Sequence, residues 1–248
     1  MKFDNKNNVD EEEELSAENL HIHGDTKSNS IIEAIHLQID GITCKDSIQF
    51  ARDAKIDKHR GTLRCHNANI NILDDGEIHA TTADIKSAIS GTIYAQDITI
   101  DHVSNNLKIF ASNSITINKI DGKNNILRIN YKDIPIINSK IDLIQDDIDE
   151  LKDSLKEAQK HNLSLVSDIK NKIKNFEDEL KKIKNSTKTA KITIHETIEK
   201  ENKIIFELDS GETISFETTK SKYLPFYLEF YDNEIILKPI NKKLILNS

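Results

Sequence analysis

Tryptophan is absent from the 248 residues, and aromatic residues make up only 5%. A broad globular core packed around large rings is thereby disfavoured. Apolar residues reach 37%, against ~45–50% in ordinary globular chains, and isoleucine dominates them, which suits stacked strands around a thin, elongated core. Cys44 and Cys65 are the only cysteines. They are too few for a disulfide framework and lack the paired spacing of a zinc site, so both read as reduced core residues. The seven glycines are scattered, not gathered into a phosphate cradle. No GxSxG, HExxH or P-loop occurs, and no catalytic residue or cofactor is expected. The net charge of -8 leaves no chain-wide basic surface for phosphates, which argues against a nucleic-acid partner. No run of ~18 apolar residues could span a membrane. The opening MKFDNKNNVDEEEEL carries no apolar signal-peptide stretch, so a cytoplasmic location is expected.

What is present is a repeat. The segments GTLRC, GEIHA and GTIYA recur, with looser copies in NSIIEA, DSIQFA, NLKIFA and NILRIN. An apolar-x-small element ends at Ala34, Phe50, Cys65, Ala80, Ala95, Ala111 and Ile129, in steps of 16, 15, 15, 15, 16 and 18 residues. Each step carries a second alternating element, as in IHLQI, ANINIL and SITINKI, which predicts two short strands per coil. Neither strand buries its inner face alone, and stacking makes the inward residues one Ile/Ala column. The fold expected over 20–132 is therefore a single-stranded β-helix, with Gly41, Gly61, Gly76, Gly91 and Gly122 at corners where positive φ is needed. Ahead of it, residues 1–19 are rich in Asn, Asp and Glu, with glutamate at 11–14, and read as a mobile acidic tail.

Around Asp133 the period changes. Ile141, Ile144, Ile148, Leu151, Leu155 and Ala158 step by three and four, and Leu165, Ile169, Ile173, Phe176, Leu180 and Ile183 do so again after HNLS. Two helices joined by so short a break must run antiparallel, which predicts a coiled-coil hairpin over 133–187. Its first helix is acid-rich and its second lysine-rich, which favours their pairing. From 188 to 248 alternation returns in KITIHETI, ETISFETT and FYLEFY, with a turn at DSG and prolines at 225 and 239 bracketing the last strands. A small antiparallel β domain completing the column is expected there.

The outward middle positions of the repeat read as a row of Glu33, Gln49, Arg64, His79, Tyr94, Phe110 and Arg128. Tyr94 above Phe110 is its apolar exception, a candidate contact surface for a partner or for the helical hairpin. His21 and His23 point to one side of a strand, adequate for two metal ligands, but no third ligand is evident in the sequence and no metal site is expected. Asp74 and Asp75 beside Gly76 read as a turn, and Asp101 lies near the coils, so acid-based hydrolysis of the β-helix type has little to rest on.

The order of parts, with the stretch SNNLKIFASNSITINKIDGKNNILRIN most specific, resembles the flagellar assembly protein A family of polymer-forming β-helix proteins. The likeness covers 20–240 in architecture and is sequence-specific between 91 and 130. It implies a right-handed β-helix, a bacterial cytoplasmic setting and a non-catalytic scaffold or regulatory role tied to flagellar assembly. Family members carry a further folded domain ahead of the β-helix, where this chain has the acidic segment. Bactofilins share such a β-helix but lack the hairpin and terminal β domain. With no cap ahead of the first coil, Ile22 is expected at an open N-terminal end, a surface for homo-oligomers. The alternative is a carbohydrate-binding or hydrolysing β-helix, of phage descent, which would need a groove lined by acids and aromatics.

Overall fold

A computed structural model describes residues 3–161, 163–219, 222–232 and 234–240. Parallel stacking starts earlier than expected. β1 (Asp4–Lys6) lies inside the segment read as a mobile tail and β2 (Glu14–Ile22) begins there, and they pair in parallel with Lys6 opposite Ile22. β2 pairs in turn with β3 (Ile31–Thr43), Glu14 opposite Ile31. The reason is the pleat: a strand must bury only alternate side chains. Val9, Leu20 and Ile22 go inward while the glutamates stay at the surface, where Lys6 pairs with Glu13 and Lys27 lies 2.8 Å from Asp10. A charge run spoils composition without spoiling alternation.

The stack continues through β4 (Ile48–His59), β5 (Thr62–Arg64), β6 (Asn67–His79), β7 (Thr82–Val103), β8 (Leu107–Ile120) and β9 (Ile126–Ile129). Successive strands pair in parallel, which makes the chain a β-solenoid. Three inward rows run along it, one more than the two strands per coil expected. Ile32, Gln49, Leu63 and Ile78 lie opposite one another in one row, and Ile22, Ile39, Ile56, Ile70 and Ile85 in the second. The third holds Val9, Thr26, Thr43, His59, Leu73 and Ala88. Its runs are short and polar in the early coils, so alternation alone does not reveal them.

One register differs from the sequence reading. Ala34 faces Ala51, not Phe50, so Gln49 points inward and is fully buried while Phe50 takes its place in the outward row. Gln49 is tolerated inside because its amide donates to Ser47 Oγ at 2.9 Å. Corner conformations also differ. Left-handed φ falls mostly on Glu12, Asn29, Asp46, Asp75, Asn106 and Asn124, with Gly91 the column's glycine at positive φ. Asn and Asp tolerate that region best among residues with a Cβ. Gly61 answers to another demand, since a methyl there would strike the Ser47 carbonyl of the preceding coil.

After Ile129 the chain leaves the column at the corner that β8 turns between Ala111 and Ser114. It forms α1 (Pro135–His161) and α2 (Val166–Lys184), then returns as β10 (Lys191–Ile194), parallel to Ser114–Ile117. The helices bury Ile144, Ile148, Ile173 and Leu180 against each other. Lys140, early in α1, lies 2.7 Å from Glu179, late in α2. The remaining strands do not form a separate sheet. β11 (Asn202–Glu207) lies parallel on β9 and antiparallel to β12 (Thr213–Thr218). β13 (Phe226–Tyr231) lies antiparallel on β10 and on β14 (Glu234–Pro239). Two hairpins thus reverse the chain direction and stop the parallel stacking, with Phe206 and Phe226 buried beneath them. Residues 241–248, part of the expected terminal β domain, lie outside the described residues. Among the described residues no helix is long and apolar enough to cross a membrane.

Candidate functional site

The outward row runs Glu33, Phe50, Arg64, His79, Tyr94, Phe110 and Arg128 in register. Because coil spacing brings flat rings to van der Waals distance, His79 stacks on Tyr94 with centroids 4.8 Å apart, and Tyr94 on Phe110 at 4.9 Å. This surface is occupied. Tyr131, Ile134 and Ile137, at the foot of the helical insertion, form a buried cluster against Tyr94 and Phe110, joined by Ile183 as α2 returns. The Tyr94 hydroxyl is pushed above its ordinary pKa by that burial. Of the two occupants foreseen for the surface, the chain's own helices take it.

The foot is clamped from the other side by the β11–β12 turn. The Tyr131 hydroxyl donates to Asp209 Oδ1, and Lys132 Nζ donates to the Asp209 carbonyl at 2.8 Å. Arg128 pairs with Glu207, and its Nε lies 3.0 Å from Asp133 Oδ2 in an ion pair too poorly aligned to be a hydrogen bond. Burial pushes the Asp133 carboxyl upward, opposed by Arg128. These groups fasten elements together, and the cluster holds no nucleophile beside a base.

Ile22, expected at an open end, is fully buried, with β1 paired across it. The first coil is itself the cover that the tail was thought too polar to provide. Ile22 is therefore a core residue and not a contact surface.

At the outer end of β2 the structure brings together side chains that the sequence keeps apart. His21 Nε2 lies 2.7 Å from Asp40 Oδ2, and His23 Nδ1 lies 3.6 Å from the same oxygen. The two imidazole centroids are 4.0 Å apart, and the three ligand atoms lie within 4.8 Å of one another. Sequence reasoning missed Asp40 because it stands one coil further on. The available signal was the pairing of Ile22 with Ile39, which sets Asp40 beside His23. Gln38 Nε2 donates to Asp40 Oδ1 at 2.8 Å, and this bond with that from His21 holds the Asp40 carboxyl below the usual carboxylate range.

Beside this cluster lies an open concavity of about 550 Å³ lined by Asp40, Lys55, Asp57, Asn71, Asp84 and Lys86, among others. Of its acids, Asp57 sits in a cross-coil ladder, accepting from Asn71 Nδ2 at 2.7 Å. Asp74 is bound by Lys58 at 2.8 Å and Arg60 at 3.2 Å, and Asp75 occupies a left-handed turn. Deep in the column, His59 accepts at Nδ1 from the Thr43 hydroxyl at 2.8 Å, because Thr43 Oγ1 already accepts from the Arg60 amide. Its Nε2–H donates to the Glu77 carbonyl at 3.1 Å. Both nitrogens are thus satisfied by the neutral ring, and burial lowers its pKa to about 4. Burial likewise pushes the Cys65 thiol up to about 12, far from thiolate chemistry. Comparison with known proteins finds no matching family model, no matching curated protein and no matching solved structure.

Proposed function

We propose that this chain is a non-enzymatic bacterial scaffold of the polymer-forming β-helix type, linked to flagellar assembly, in which a solenoid carries an antiparallel coiled-coil arm. The observation that supports this reading is the seating of the arm. Its foot is locked onto Tyr94 and Phe110, while further out the helices bury chiefly each other. At 27 residues α1 reaches ~40 Å, and Leu163 and Leu165 at the turn are exposed, offering apolar surface to a protein partner. Many polar groups along the column are engaged across coils, as in Asn67 with Asp53, Asn71 with Asp57 and Lys58 with Asp74, consistent with a spacer. In the organism that carries the gene, loss of the chain should reduce flagellar number. The full chain should restore it, and a chain with 140–185 replaced by a short flexible linker should not, although its strand signal in circular dichroism persists. Normal flagellation without the chain would overturn the flagellar link, and full rescue by the armless chain would overturn the role of the arm.

The concavity at Asp40, Asp57 and Asp84 favours a second reading, a carbohydrate-binding or hydrolysing β-helix. It supplies acids but none of the aromatic platforms on which sugar rings stack. Asp40 is held ionised and so is unsuited to donate a proton. Reproducible hits on a glycan array would place this reading first.

A further inference from the structure

We propose that His21, His23 and Asp40 form a site for a divalent transition-metal ion of the zinc type, which staples the first coil of the column to the second. Two imidazoles and one carboxylate are the donor set such ions prefer, and they leave further coordination positions to water. Donors around a bond length of ~2.0–2.1 Å sit roughly 3 Å apart. The observed separations of 2.7 and 3.6 Å to Asp40 Oδ2 bracket that value, and the ion takes the place of the proton that His21 Nε2 shares with Asp40 in its absence.

Hydrogen bonds around the cluster orient the donors inward. The Asn5 amide is fixed because its Nδ2 donates to the Phe3 carbonyl at 3.1 Å, which turns Oδ1 towards His23. His23 Nε2 therefore donates to Asn5 Oδ1 at 3.1 Å, which leaves Nδ1 as the ring nitrogen turned towards the Asp40 carboxylate. Gln38 engages Oδ1 of Asp40 and leaves Oδ2 for the shared position. Partners of this kind, one shell behind the donors, fix tautomer and orientation in metal sites. The cluster also sits where a staple acts: His21 belongs to β2 and His23 follows its last residue, Asp40 belongs to β3, and Asn5 lies on β1.

The test uses the full chain, stripped with a chelator and titrated with Zn²⁺ in a calorimeter. The expected result is one ion per chain at micromolar affinity or tighter, with a rise in melting temperature. Co²⁺ in its place should give visible d–d bands. His21→Ala and Asp40→Ala should each weaken Zn²⁺ uptake about tenfold or more. His23→Gln, which keeps a polar side chain just past the strand, guards against a folding artefact and should do the same. His102→Ala removes a His–Asp pair of similar length, 2.8 Å to Asp121, with no second imidazole in the cluster, and should leave uptake unchanged. No uptake by the native chain, uptake undiminished by the first three changes, or equal loss with His102→Ala would overturn the proposal. Detection by ¹⁵N NMR of a proton on His23 Nδ1 in the presence of Zn²⁺ would do so too, assigning the contact to an imidazolium–carboxylate pair.

Discussion

His59 shows how a single residue in the column can make stability depend on pH. The unfolded chain holds an imidazole of pKa ~6.5, whereas the folded pKa is about 4, so below pH 6.5 the unfolded state binds more protons. Stability contributed by the neutral ring is complete above ~6.5 and is lost as pH falls towards 4, by about 3 kcal/mol at that end. His59→Leu matches Leu73, its neighbour in the row, and removes the titration. Thermal melts from pH 7 to 4 should fall less steeply for the variant than for the native chain, and parallel curves would refute the assignment. Gln49 is the contrasting case. It is just as buried, yet it cannot titrate, and its Oε1 has no partner, so it marks a polar inward position tolerated without a pH signature.

Elements were legible wherever alternation or helical period carried them. The Ile rows, the period change near Asp133 and the returning strands could be read because one apolar residue in two or in three to four is a strong pattern. Three features escaped it. The third inward row escaped because Thr26, Thr43 and His59 are polar residues facing inward. The register at Phe50 escaped because Ile48 and Phe50 are apolar residues two apart, whereas the true register puts the polar Gln49 inward. The coil ahead of residue 20 escaped because glutamates at 11–14 outweighed the alternation of Leu15 and Ala17 when judged by composition. The His21, His23 and Asp40 cluster was half-legible: the HIH pair stands out, but its third member depends on coil register, which only pairing fixes. The corrected first coil changes what Ile22→Lys should do. With Ile22 fully buried, the variant would place an unpaired ammonium inside the column, at several kcal/mol. Melting should drop sharply while light scattering of the folded fraction stays as in the native chain. A change of oligomeric state at unchanged stability would restore the open-end reading.

The molecule as a whole is a stack in which each coil touches only its neighbours, so its ends fray first unless something fastens them. At the N-terminal side the first coil has few buried residues, Val9, Leu20 and Ile22, and the proposed metal staple would act there. At the C-terminal side the fastening is a set of contacts between residues nearly eighty apart, grouped around Asn125 and Asn202, both buried. Asn202 Oδ1 accepts from the Asn125 amide N–H at 3.1 Å and from Asn125 Nδ2 at 2.8 Å, while Asn202 Nδ2 donates to the Lys200 carbonyl at 3.1 Å. Asn125 in turn accepts from Leu107 N at 2.8 Å, which ties the clasp to β8. Asn202→Ala would strand the buried Asn125 amide N–H and one proton of Asn125 Nδ2, the other staying on the Ser104 carbonyl, with a loss of about 3 kcal/mol by the usual penalty for unsatisfied groups. Because only neighbouring coils couple, that loss should be local. Hydrogen exchange followed by mass spectrometry should show faster exchange across β11 and β12, with β7 in mid-column keeping its protection. Uniformly faster exchange from β3 to β12 would mean that the column and its closing hairpins unfold as one cooperative unit.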